Sequence, residues 1–279
     1  MIDIICPIYN GEKYIENLNN SLITQKNVRI NKILYILTES IDNSEKILKD
    51  NNLNYVKIKK DDFSHSLIRE KYALLSSADI VTFISQDIII EDKNWLYKLT
   101  KNLGKNNIAY SYSRQISKYN NIEKYIRNFN YPNRSIIKSK ENLKELGLNT
   151  FFCSDASSAV LTQVFKELKG YDNKNLPISE DMYFAYKTIM NGYSIIYESD
   201  SIVYHSHKLS LRQLFGRYKL TGKFFKDNSY LEKYNINNSG KKLAFYVLKE
   251  IIKERRIKLL FRYPFDMASR LIGMKVGKI

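Results

Sequence analysis

The chain has 279 residues, with 45 Lys and Arg against 29 Asp and Glu for a net charge of +16, and 44% hydrophobic residues. That apolar share excludes a disordered chain, because it buries enough surface to offset chain entropy. Two cysteines, Cys6 and Cys153, exclude a disulfide-stapled module and a zinc ribbon. No charged-then-apolar leader opens the sequence, and apolar stretches such as Ala78–Ile84 end well short of the roughly 18 residues a spanning helix needs. The reading is a cytoplasmic protein, soluble or peripheral on the inner face of the membrane. Its charge points to nucleic acid, to an anionic membrane surface or to a phosphorylated small molecule, or else to lysines that face water with no partner.

In chain order, short apolar runs alternate with amphipathic stretches. Ile2–Ile5, Ile33–Leu37, Tyr55–Ile58 and Ile80–Ser85 read as strands, and Glu12–Thr24, Ser44–Asp50 and Ser66–Leu75 as helices between them. This alternation predicts an α/β domain with a mostly parallel central sheet flanked by helices. Ligands of such sheets sit beyond the carboxyl ends of the strands. A helix to Leu103, a strand Ile108–Arg114 and a polar, Asn- and Tyr-rich segment to Thr150 follow. Ser157–Leu161 reads as a strand before a helix ending near Gly170, and Glu180 opens a helix that stops at Asn191-Gly192. Ser194–Tyr197 and Ile202–His205 read as two strands, and the chain after Lys208 is helical and basic. The division expected is a catalytic domain over 1–225 and a basic amphipathic extension over 226–279. No phosphate-loop consensus and no Gly-x-Gly-x-x-Gly follows a strand, which removes ordinary nucleotide kinases and dinucleotide dehydrogenases.

Four clusters carry chemistry. Asp87 ends Ser85-Gln86-Asp87 after a strand, either as a turn residue or as an oxygen ligand for a hard divalent ion on a diphosphate. Glu180-Asp181 at a helix start reads as a cap or as a general base. Arg69, one turn into its helix, reads as a phosphate fork or as a solvated partner of Glu70 or Asp62. His205-Ser206-His207 holds two of the three histidines, on alternate positions that share one side of a strand, as metal ligands or as buried, hydrogen-bonded groups.

Taken together, their order resembles the family 2 glycosyltransferases of GT-A fold. The opening Ile4-Ile5-Cys6-Pro7-Ile8-Tyr9-Asn10-Gly11 resembles the family's first strand and its Pro-x-Tyr-Asn loop. Phe63-Ser64-His65-Ser66-Leu67, Arg69, Ala78–Asp87, Trp95-Leu96, Arg114-Gln115, Phe129–Pro132, Phe151–Ser154, Glu180-Asp181-Met182 and His205-Ser206-His207 are similar in order to bacterial rhamnosyltransferases of surface polysaccharide synthesis. The resemblance covers roughly residues 1–225. It implies that Pro7, Tyr9 and the Glu39 to Asp42 region hold the donor nucleoside, with Gln86 beside them, and that Arg69 holds its diphosphate. It further implies that Asp87, with His205 or His207, binds Mg²⁺ or Mn²⁺, and that Asp181 is the base of an inverting displacement. The implied donor is dTDP-rhamnose, with a UDP-hexose as the alternative, and the implied acceptor is a glycan or lipid-linked glycan, with no nucleic acid. Two positions depart from the family pattern: Ser85 stands where Asp-x-Asp begins, and Leu37 stands where the second-strand Asp-x-x-Ser-x-Asp begins.

Residues 241–279 hold eleven Lys and Arg against three acidic residues, half of the total charge. Interleaved Leu, Ile and Phe make these helices candidates to lie on anionic lipid, or to pack their apolar face on the catalytic domain with the lysines in water. A nucleic-acid-binding protein, suggested only by charge and tyrosines, is the reading from another class.

Overall fold

The computed structural model describes residues 1–235 and 239–279. Strand β1 (Ile2–Ile8) is buried along its whole length, as a central parallel strand covered on both faces must be. Helix α1 (Glu12–Ile23) buries Ile15, Leu18 and Leu22, three positions on one face. Then follow β2 (Ile30–Thr38), α2 (Ser44–Asp50), β3 (Tyr55–Ile58), α3 (His65–Leu74) and β4 (Ile80–Ile84). The expected elements of this half are all present, within a few residues at their ends.

The second half departs from expectation in three places. The polar segment before Thr150 contains two helices and a strand. After α4 (Trp95–Thr100) and β5 (Ile108–Ile116) come α5 (Ile122–Asn130), β6 (Ile136–Lys138) and the one-turn α6 (Leu143–Leu146). Beyond β7 (Ser157–Leu161), α7 (Thr162–Glu167) and α8 (Glu180–Met190), the two strands expected over 194–205 are one, β8 (Ser194–Tyr204). Its polar centre is buried: Glu198 accepts from Asn102 at 2.7 Å, and the Ser135 hydroxyl accepts from the Ser199 amide at 3.0 Å. Three basic helices close the chain, α9 (Leu211–Asp227), α10 (Ser239–Lys253) and α11 (Ile257–Lys278).

The sheet has eight strands in the order β3-β2-β1-β4-β7-β5-β8-β6. The third departure is its mixed character. β3, β2, β1 and β4 pair in parallel, whereas β7 runs antiparallel to both β4 and β5, and β6 is antiparallel to β8. A parallel expectation fits only the strands joined by helical crossovers. The core under β1 and β2 gathers Ile4, Cys6, Ile8, Leu18, Leu37 and Trp95. The buried Trp95 indole donates to the Ser113 and Ser157 hydroxyls at 3.1 and 3.2 Å, so its polar atom is satisfied. Both cysteines are free thiols.

Contacts between Cα atoms divide the chain into two units. One holds residues 1–114, 133–140 and 151–205, and the other 115–132, 141–150 and 206–279. Within the second unit, α5 and α10 share an apolar cluster of Ile122, Tyr125, Ile126, Val247 and Ile251, against which Leu259, Tyr263 and Met267 of α11 pack. Helices α9 and α11 meet through glycines. A Cβ on Gly277 would stand 1.9 Å from the Lys219 carbonyl oxygen, and one on Gly222 2.3 Å from that of Met274. Gly277→Ala is therefore expected to push these helices apart at a cost of about 2 kcal/mol, read as a lower urea midpoint. An unchanged midpoint would show that the helix pair relaxes freely. Among the described residues, no helix is long and apolar enough to cross a membrane.

Candidate active site

The site-bearing residues lie at the carboxyl ends of β1, β2 and β4, where the topology leads one to look. Pro7 is buried near the end of β1, and Tyr9 follows in the loop to α1 with its side chain exposed. The Tyr9 amide donates to Gln86 Oε1 at 2.8 Å, and Gln86 Nε2 returns a hydrogen bond to the Tyr9 carbonyl at 3.0 Å. Gln86 thus fastens the turn after β4 to the loop after β1. Asp42 does the same between β2 and α1. Its Oδ2 accepts from the Glu12 amide at 3.0 Å, and its Oδ1 from the Ser44 amide and hydroxyl at 3.0 and 2.6 Å. Partial burial opposes ionisation of this carboxyl, but the Ser44 and Glu12 hydrogen bonds outweigh it and hold the acid below its usual range. Exposed Glu39 accepts from the Lys60 amide at 3.3 Å. The Lys60 ammonium also stands 5.8 Å from the centre of the Tyr9 ring. The sequence-predicted donor residues therefore share one edge of the sheet, Pro7 within β1 and Tyr9, Glu39, Asp42 and Gln86 in the three linked loops that follow β1, β2 and β4.

Asp87 and His205 are brought together by a single antiparallel bridge. Ile89 and Tyr204 exchange backbone hydrogen bonds of 2.9 Å in each direction. This sets Asp87 Oδ1 3.4 Å from His205 Nε2, with the imidazole buried and the carboxylate partly open. One carboxylate oxygen and one imidazole nitrogen at this spacing form the start of a divalent-cation site. The mixed donor set suits Mn²⁺ better than Mg²⁺, which prefers oxygen throughout. His207, two residues along the chain, lies in the second unit.

Arg69 is where structure and expectation part. Both residue-level readings, phosphate fork and solvated partner of Glu70 or Asp62, leave the guanidinium accessible, yet it is 2% exposed. One nitrogen donates to Glu180 in a buried ion pair, and another donates to the Asp155 carbonyl at 3.1 Å. Glu70 is engaged elsewhere, accepting from the Tyr171 and Asn173 amides. The reason is positional: Arg69 is on the buried face of α3, with the Phe83 ring 6.0 Å from its guanidinium carbon.

Beside this pair stands Asp181. Ser179, the residue before α8, adopts a left-handed backbone with φ of 64°, a conformation disfavoured without glycine and here placed directly before the two acids. Asp181 Oδ1 accepts from the Met182 amide at 2.7 Å, and Oδ2 from the Asp155 amide at 3.4 Å. Burial, and then the charges of Glu180 and Asp155, hold its carboxyl well above the usual carboxylate range. A carboxyl so tuned is a stronger proton acceptor once ionised.

Asp155 was missed in the sequence. It accepts from Tyr110 Oη, from Ser158 Oγ at 2.5 Å and from Tyr171 Oη at 2.7 Å, fully inside the protein. The following residue ties this segment to the turn that carries Asp87, because the Ser85 amide donates to the Ala156 carbonyl at 3.1 Å. A carboxylate two residues before an apolar strand, after Phe151-Phe152-Cys153-Ser154, was the available signal. Lys138 is a second omission. It is buried on β6, donates to Tyr112 Oη at 2.7 Å and to the Phe152 carbonyl at 2.9 Å, and is pushed down to about 7 by burial.

Comparison with known proteins places the chain in a family. A family model described as "Glycosyl transferase family 2" matches residues 3–169. The O-antigen chain rhamnosyltransferase RfbN of Salmonella typhimurium is 30% identical over 99% of this chain and 89% of its own length. WbaN of Salmonella anatum, with the same description, is 30% identical over 99% and 88%. Among solved structures, the Pyrobaculum calidifontis mannosyltransferase PcManGT, in complex with GDP-Man and Mn²⁺, matches with a TM-score of 0.65 at 14% identity, over 99% of this chain and 86% of that one. S. aureus TarS 1–349 with UDP-GlcNAc matches with a TM-score of 0.56 at 15% identity, over 99% and 90%. The fold is thus the expected GT-A arrangement, and the chain, a glycosyltransferase with O-antigen rhamnosyltransferases among its relatives, belongs to glycosyl transferase family 2.

Proposed function

We propose that the protein transfers a rhamnosyl group from dTDP-rhamnose, with inversion, to a hydroxyl of a growing surface glycan or lipid-linked glycan. The observation that carries this reading is Asp181, a carboxyl of suppressed acidity at the start of α8, positioned by Asp155 beside the turn that bears Asp87. The choice of sugar is supported by the two Salmonella relatives, both O-antigen chain rhamnosyltransferases.

In this mechanism Asp181 accepts the proton of the acceptor hydroxyl as its oxygen attacks the anomeric carbon from the face opposite the nucleotide. A single displacement of this kind inverts the anomeric centre. Pro7, Tyr9 and Glu39 hold the nucleoside, while Gln86 and Asp42 fix the loops that carry them. Arg69 acts through Glu180 and the Asp155 backbone to position the base. Asp87 and His205 would hold a divalent cation, Mn²⁺ in preference to Mg²⁺. When bound, the cation supplies Lewis-acid stabilisation to the departing diphosphate. The enzyme works at the inner face of the membrane, and its charge serves a phosphosugar and a lipid surface, not a nucleic acid.

Calorimetric titration with dTDP-rhamnose, UDP-glucose and GDP-mannose, each with and without Mn²⁺, tests the reading. Binding of dTDP-rhamnose that strengthens with Mn²⁺ is expected. Binding of UDP-glucose alone would overturn the sugar assignment, and binding of none would overturn the donor site. His205→Ala is expected to weaken Mn²⁺ binding by about tenfold or more, since loss of even an outer-sphere partner costs that much. Unchanged affinity would remove His205 from the ligand set.

A further inference from the structure

The second unit presents an apolar surface that its own packing does not use. Helix α11 turns about 100° per residue, and its two sides can be assigned from burial. Leu259, Tyr263, Asp266, Met267, Gly273 and Gly277 face its neighbours. Ile257, Phe261, Phe265, Leu271, Ile272 and Val276 fall within an arc of about 140° on the other side, and all are exposed, Phe261 at 75% and Phe265 at 63%. The usual helix on a globular unit buries its apolar side and wets its charged one. Here both sides are apolar. On α10, Phe245, 71% exposed, shares its outer side with Ile252, Lys241 and Lys249, while Val247 and Ile251 are buried on the opposite side.

We propose that this ridge of α11, together with the outer side of α10, lies in the interface of an anionic lipid bilayer, with its aromatic side chains below the headgroups. The inference deepens the membrane location already proposed and rests on it, but its evidence is independent of donor and metal. A ridge of scattered Phe and Ile with Lys258 at its margin, Lys275 within it and Lys241 and Lys249 on α10 combines apolar insertion with attraction for negative headgroups. A second copy of this chain fits the surface less well. Residues 241–279 carry eleven basic residues against three acidic ones, so two such faces would meet with like charge.

The full chain is mixed with vesicles of phosphatidylcholine, with or without phosphatidylglycerol, at physiological salt and sedimented. The wild type is expected to sediment with the anionic vesicles. The triple variant Phe261→Ser, Phe265→Ser, Ile272→Ser is expected to lose affinity by about tenfold or more. Its melting temperature and dTDP-rhamnose binding should match the wild type, so a failed donor assignment would leave this test intact. A second measurement places an environment-sensitive fluorophore on Phe265→Cys, where labelling is selective because Cys6 and Cys153 are buried. Its emission should shift to the blue with anionic vesicles. The inference is overturned if the wild type ignores these vesicles, if the triple variant binds as well as the wild type, or if the serines merely dissociate a dimer that binds no lipid.

Discussion

Asp181→Asn is expected to reduce sugar transfer by about 10²–10⁴-fold, the usual worth of a positioned general base, while donor affinity measured by calorimetry stays nearly constant. The same change should stabilise the fold at alkaline pH. Asp181 keeps its proton to higher pH in the native state than in the unfolded chain. From the ordinary carboxylate range upward, the native state therefore binds more protons, and stability falls as pH rises. The wild-type contribution is fully present below the unfolded pKa and is lost as pH climbs through the raised native one. The side-chain amide of the variant is neutral at every pH, so the stability gap should open with rising pH in urea melts. Turnover of the wild type should rise over the same window as the base ionises. Retained turnover in the variant, or a gap that closes towards high pH, would remove Asp181 from this role.

Arg69→Met is expected to cost about 3–5 kcal/mol, because it strands the Glu180 carboxylate away from water. Both side chains of the pair are almost wholly inaccessible. Adding Glu180→Leu to Arg69→Met should restore much of the loss, since an apolar pair of similar volume avoids the cost of an unpaired buried charge. Chemical denaturation of the two variants decides the matter. A loss below about 1 kcal/mol for Arg69→Met would mean that Glu180 is accommodated without its partner. Arg69→Lys is not a conservative control, because one guanidinium serves both Glu180 and the Asp155 carbonyl and an ammonium lacks that fork.

The first four strands and three helices were legible because each is a continuous apolar run or a single-sided helix, as at Tyr55–Ile58 and Ser44–Asp50. Strand β8 was not, because Glu198, Ser199 and Ser201 are polar yet buried, and their partners Asn102 and Ser135 are remote in sequence. Helix α5 was hidden by its Asn and Tyr content, although Ile122, Tyr125 and Ile126 have helical spacing. The direction of β7 cannot be read from five residues, since pairing sense belongs to the connection and not to the strand. At the site, Asp87, Asp181 and His205 each stand in a local motif that the sequence alone displays. What sequence could not supply was the company they keep. Arg69 reads as a surface residue until Glu180, far along the chain, is seen beside it.

The three hydroxyls gathered on Asp155 have a consequence for how its neighbour Asp181 is held. Tyr110, Ser158 and Tyr171 already occupy the lone pairs of Asp155, whereas Asp181 has two backbone amides, one of them at 3.4 Å. Asp155 is thereby anchored by three side chains, and the backbone amide it donates to Asp181 is anchored with it. The seat of Asp181 then depends on tyrosine hydroxyls far from it in sequence: stripping one, as in Tyr171→Phe, would loosen the backbone on which that acid rests.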